Sequence, residues 1–271
     1  MDVYLEATFD LDAAVEPGES LIQWFRAARS HLFVDLEAAE PKGDSRVVSR
    51  ALVTQDIDGS SELFTKVGDK WGHFEQCLAT FPWWADVDYS TGNTELVGAR
   101  TNHVLTDGSL WLASARVALN SLNDASECAG LVAFLQEALQ GSNPAFARIE
   151  LNDFNDSTNL DAGLRRKRRT SLRAGRQVLR GYAWVMVCPQ ELSVRLGGST
   201  ALEASGAFHK VIPLRSGGVL LQASETLAGY TEQVMERVFL ALAPVLPEGE
   251  PLPDPAHPNL RFVLRDAGQV R

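Results

Sequence analysis

Two short turn signals, each set between apolar runs and each followed by a helix-spaced apolar pattern, constrain the fold of this 271-residue chain most. The first is Asp107-Gly108, between residues 101–105 and 110–119. Asp and Gly both tolerate positive φ, so this pair between apolar runs closes a hairpin. The second is Ser216-Gly217-Gly218, between residues 208–214 and 219–222. Residues 105–113 lie 109 positions before 214–222 and resemble them. After the first hairpin, Leu131, Phe134, Leu135, Ala138 and Leu139 mark a helix over 126–140. After the second, Val234, Met235, Val238, Phe239 and Leu242 mark one over 230–242. Each unit has one sheet face to bury, and two such units can cover each other. The pattern predicts an α+β fold of antiparallel sheets covered by helices. Two related halves would account for the match; so would chance, and the sequence leaves both open.

The remaining segments fit that class. Residues 3–9 read as a strand. Pro17-Gly18-Glu19-Ser20 opens a helix whose stripe is Leu21, Trp24, Phe25, Ala28, Leu32 and Leu36, ended by Pro41-Lys42-Gly43-Asp44. Residues 46–57 carry no clear period, and 60–78 suggest a helix frayed near Gly68 and Gly72. Strands are predicted over 146–151 and 182–187, and helices over 159–180, 189–196 and 200–204. Five prolines in 247–258 describe a tether, and 260–264 read as a last edge strand. The division this implies is an N-terminal α+β half (1–152), a C-terminal α+β half (153–250) and a Pro-rich tail (251–271).

A hydrophobic fraction of 45% against 22% charged residues is globular composition. The net charge of −10 argues against nucleic acid or anionic membrane as a general partner and suits a basic protein. Cys77, Cys128 and Cys188 form no CxxC pair, which fits a reducing compartment. The start MDVYLEATFDLD has acidic residues where a signal peptide needs a basic and then an apolar region, so secretion is not expected, and no apolar run approaches the roughly 18 residues of a spanning helix. A cytoplasmic protein without membrane contact is the expectation.

The sequence carries no nucleotide, zincin, esterase or EF-hand spacing, so no cofactor or metal is expected. His31, His73, His103, His209 and His257 include no pair at helical metal spacing. Cys188, ending a strand just before the helix start at Pro189, is the best nucleophile, with His209 as base; a small apolar residue ending a core strand explains it more simply. Asp56 with Asp58, and Asp86 with Asp88, put carboxylate pairs about 7 Å apart on one strand face, where solvated acids are the default. Binding, not catalysis, is the favoured activity.

Two segments are unusual. Residues 161–180 hold eight basic residues and one acid. On a continuous helix Arg165, Arg169, Arg173, Arg176 and Arg180 share one face, and Leu160, Leu164, Leu172 and Leu179 another. The arginine face suits an anion, a nucleic-acid phosphate or, the favoured reading, an acidic face of the same protein. No aromatic residue interleaves it to stack on bases. Trp83, Trp84, Asp86, Asp88 and Tyr89 are candidate partner-binding residues, since aromatic anchors flanked by carboxylates select a basic partner. The competing reading buries the tryptophans in the core.

The C-terminal third resembles a known family. Its marks are Gly181-Tyr182-Ala183-Trp184-Val185-Met186-Val187-Cys188, then Glu191-Leu192, Arg195-Leu196-Gly197-Gly198, Phe208-His209-Lys210-Val211, Val219-Leu220-Leu221-Gln222-Ala223, and Tyr230 opening the last helix. This order over 180–245 is similar to the type VI secretion immunity-protein family and its uncharacterised bacterial relatives. The resemblance implies a protein that neutralises a toxin by binding it. Ser224-Glu225-Thr226-Leu227-Ala228 departs from the family, which has a Gly-Pro-containing loop there.

Overall fold

The computed structural model describes residues 2–10, 17–33, 46–55, 61–67, 71–80, 84–91, 94–103, 110–151 and 157–271. The N-terminal elements are β1 (Asp2–Asp10), α1 (Pro17–His31), β2 (Arg46–Gln55), β3 (Ser61–Val67), α2 (Trp71–Ala79), β4 (Trp84–Thr91), β5 (Thr94–His103), β6 (Leu110–Ala118), α3 (Ala125–Leu139) and β7 (Phe146–Glu150). Then follow α4 (Asn159–Gly163), α5 (Arg168–Arg173), β8 (Val185–Cys188), α6 (Gln190–Arg195), α7 (Gly198–Ala204), β9 (Lys210–Pro213), β10 (Val219–Gln222) and α8 (Glu232–Leu242).

The strands form one ten-stranded sheet in the order β3-β2-β4-β5-β6-β1-β7-β8-β10-β9, antiparallel at every junction. The α+β class read from the sequence is the observed one. Both predicted hairpins pair antiparallel: β5 with β6, which is followed by α3, and β9 with β10, which is followed by α8. The two hairpin-and-helix segments thus take matching places on either side of β7, which pairs with both β1 and β8.

Strand alternation sorts the sheet into two faces. Cross-strand register runs Ala85, Thr101, Ala113, Ala7, Ala147 and Val187 in one row, every one buried. Small side chains here let α1 lie close on β5 and β6, with α3 packed beside it. Arg100 and Arg116, on the opposite face, are exposed, so α1, which packs on β5 and β6, covers the alanine face. Trp24 of α1 meets Phe134 of α3 edge-on at 4.9 Å, and Phe9 stacks on Trp111 at 4.1 Å beneath them. The other face carries Tyr4, Glu6 and Thr8 of β1 with Phe146, Arg148 and Glu150 of β7. Chain from Ser157 to Tyr182 and α8 cover it, with Leu172 on Leu110 and Tyr182 on Phe239.

Three expectations change. Residues 61–67 are strand, and the helix begins only at Trp71. The segment reads Ser-Glu-Leu-Phe-Thr-Lys-Val, whose β-branched and aromatic residues suit pairing with β2 more than a helix. Residues 260–264 form no strand; β3 and β9 are the sheet edges, and Phe262 packs on Gly163 instead. The single helix over 159–180 is two short ones, discussed below. Leu36, the stop at 41–44, Asp56, Asp58 and the turn at 107–108 lie outside the described residues.

Candidate functional site

The centre of the polar face holds a cluster of buried charges. Glu6 and Arg148 stand opposite each other across the β1–β7 pair. Arg148 donates from Nη2 to Glu6 Oε2 at 2.9 Å and pairs with Glu150. Arg180, arriving from beyond α5, donates from Nη1 to Glu6 Oε1 at 2.7 Å and to Thr8 Oγ1 at 3.2 Å. Its Nε lies 3.7 Å from Asp161 Oδ2, which also accepts from Ser171 Oγ at 2.5 Å. Arg166 reaches Asp161 Oδ1 at 2.9 Å. Asn159 Nδ2 donates to Glu150 Oε2 at 3.3 Å. Three carboxylates thus face three guanidiniums. Tyr4 and Phe146 lie under the Arg148 and Arg180 guanidiniums at 5.4 and 5.3 Å.

The local sequence explains how α4 delivers its part. Thr158 caps the helix by accepting from Asp161 N–H at 3.0 Å, and the same hydroxyl donates to the Arg180 carbonyl at 2.8 Å. One residue therefore fixes both the carboxylate and the arginine that meets it. Burial pushes the Glu6 carboxyl up, but Arg148 and Arg180 outweigh it and hold it below the usual carboxylate range. For Asp161 burial wins over Arg180, Arg166 and Ser171, and its pKa is raised. Burial works against the Arg148 charge, yet Glu150 and Glu6 raise its pKa. This arrangement neutralises itself and locks the 157–182 segment onto the sheet.

That outcome corrects the arginine helix. Leu164 ends α4, and Arg165 turns left-handed with φ +51° before α5 starts. Five consecutive basic residues repel one another on a continuous helix, and the break separates them. The proposed common face of Arg165, Arg169, Arg173, Arg176 and Arg180 therefore does not exist. Arg180 is fully buried in the charge cluster. Arg176 bonds Glu191 at 2.9 Å and the Asn143 carbonyl at 2.8 Å. Arg165, Arg169 and Arg173 are exposed. Within the segment, Arg166, Arg176 and Arg180 pair with Asp161, Glu191 and Glu6 of the same chain.

Of the aromatic and acidic segment, Trp84 opens β4 half-buried. Asp86 is buried, 3.7 Å from Arg100 on β5, so this carboxylate faces a charge of its own sheet. Asp88 and Tyr89 stand at register positions opposite Gly98 and Val97. Trp83, and the side chains of Asp88 and Tyr89, lie outside the described residues.

Cys188 is fully buried, and burial pushes its thiol up to about 12, with Arg195 offsetting only part. A nucleophile needs the opposite shift. His209 is exposed and uses its backbone N–H to bond the Gln222 carbonyl at 2.8 Å. Among the described residues no three His, Cys, Asp or Glu side chains converge as metal ligands.

With this geometry in place, comparison with solved structures finds the Pseudomonas aeruginosa T6SS protein PA0821. The two share a fold. The likeness covers 98% of this chain and 79% of that one, with a TM-score of 0.58 and 14% sequence identity. It is therefore not confined to the C-terminal third, where the sequence resemblance lay. No family model and no curated protein matches the chain. Among the described residues no helix is long and apolar enough to cross a membrane.

Proposed function

We propose that the chain is a non-enzymatic protein-binding module that works as an immunity-like protein, neutralising a toxin or engaging a basic partner protein by steric occlusion. The observation that carries this reading is the fold shared over nearly the whole chain with a T6SS protein. It is supported by the way the ionisable groups at the sheet centre are spent on one another. The best thiol nucleophile is held in its unreactive protonated state. The net charge of −10 steers a basic macromolecule toward encounter.

Co-expression with the product of a neighbouring toxin-type gene tests it. The expected result is a stoichiometric complex on size exclusion together with rescue of growth. Repeated absence of both, with the two proteins folded, would abandon the reading. The arginine-segment alternative predicts duplex DNA or RNA affinity that falls steeply with salt in a mobility-shift titration; Arg166, Arg176 and Arg180 being engaged internally speaks against it.

A further inference from the structure

A cleft of about 360 Å³ opens where α1 begins, α3 ends and the β9–β10 turn comes up against them. Glu19, Ser20 and Gln23 form one wall, Ala138 with Gln140, Gly141 and Ser142 a second, and Arg215 with Ser216 a third. The turn is held by the residue that follows α3. Gln140 Oε1 accepts from the Arg215 backbone N–H at 3.3 Å, and Asn143 Oδ1 accepts from Gln190 N–H at 3.0 Å beside it. Gly217 and Gly218 adopt φ of +94° and +79°, and a Cβ on Gly217 would fall 2.6 Å from Gln190 Oε1. Only glycine makes this turn so close to α6.

The bonds already made inside the cleft define what remains. Gln23 donates its Nε2 to the Glu137 carbonyl at 3.2 Å, leaving Oε1 as an acceptor. Gln140 spends Oε1 on the turn, leaving Nε2 as a donor. Ser20 is 6% exposed, and its hydroxyl has no hydrogen-bond partner among the described residues. Glu19 and Arg215 are exposed and come from different walls. Ala138 supplies the single apolar side chain, so the cleft lacks the hydrophobic and aromatic lining of a cofactor pocket. Donors and acceptors in both senses, with one charge of each sign, match polypeptide.

We propose that this cleft receives a loop of a partner protein, seating a carboxylate of the loop on Arg215, a cation on Glu19, and main chain on Ser20, Gln23 and Gln140. The proposal rests on the protein-binding reading and names its site. The probe is the peptide acetyl-Lys-Gly-Gly-Glu-amide, titrated at millimolar concentration into the ¹⁵N-labelled full chain. Two controls carry the same charge at both ends, either two lysines or two glutamates. The expected result is shifts confined to the amides of Ser20, Gln23, Gly141 and Ser216. Affinity should be about threefold above either control, and Glu19→Gln or Arg215→Gln should each remove that preference. Scattered or absent shifts, or equal response to the three peptides, overturn it. With a toxin complex in hand, unchanged affinity of the Glu19→Gln/Arg215→Gln protein sinks the cleft proposal and leaves the binding reading standing. Failure to find any toxin complex strikes that reading, while the peptide titration still reports on the cleft.

Discussion

Arg148 faces Glu6 across the β1–β7 pair with their side chains fully buried, and Arg180 reaches the second oxygen of the same carboxylate from 174 residues away in sequence. Glu6 is thus the anion on which two buried cations depend. Removing one partner of a buried pair leaves an uncompensated charge, which costs about 3–5 kcal/mol. Glu6→Gln is expected to destabilise by that amount in urea unfolding. Adding Arg148→Met should cost less than the sum of the two single changes, because the orphaned cation goes with it. Additive losses would show that the pair does not couple.

The same carboxylate sets a pH response. Its folded pKa is lowered, so its contribution is present above the ordinary carboxylate value and is lost as pH falls through the lower folded value. Asp161 has a raised pKa and runs the other way, its contribution fading as pH rises through the folded value. The penalty of Glu6→Gln should therefore be full at neutral pH and shrink toward zero in acid. Urea midpoints of the two proteins at several pH values test this; a penalty independent of pH would show that the Glu6 charge is not the source.

How far the sequence could be read is clearest on β1. Tyr4, Glu6 and Thr8 alternate with Val3, Leu5, Ala7 and Phe9, and alternation correctly identifies the strand and its apolar face. The same rule sends Glu6 to solvent, and there it fails. The segment that covers it is distant in sequence, and local periodicity carries no information about what packs on a polar face. A faint signal existed: Arg148 and Glu150, two apart within the apolar run 146–151, are the charges most out of place. The arginine segment was misread for the opposite reason. Leucine spacing over 160–179 satisfies a helix, but Gly163 and Gly175 weaken it, and buried acids draw Arg166 to Asp161 and Arg180 to both Asp161 and Glu6. The hairpins and helices of the C-terminal part were legible because turn chemistry and capping, such as Thr231 on the Val234 N–H, are local. The cleft was not, since it joins three elements that only the tertiary fold brings together.

Thiol chemistry separates the cysteines. Cys128 and Cys188 are buried and burial raises both pKa values, whereas Cys77 is half-buried on α2. A disulfide reagent at pH 8 should modify Cys77 first and leave Cys188 untouched until the protein unfolds. Rapid native-state labelling of Cys188 would revive it as a nucleophile.

The break between α4 and α5 yields a stability prediction of opposite sign. Arg165 holds φ +51°, where an L-residue with a Cβ is disfavoured by about 1 kcal/mol and glycine is not. The side chain is exposed and the cluster draws on its neighbour Arg166 instead. Arg165→Gly is therefore expected to stabilise the protein by about 1 kcal/mol, reduced somewhat by the freedom glycine adds to the unfolded chain. Arg165→Ala keeps the Cβ and should give no such gain, which separates relief of backbone strain from relief of charge repulsion among residues 165–169. Equal stabilisation by the two changes would assign the effect to charge and would mean that the left-handed turn costs the fold nothing.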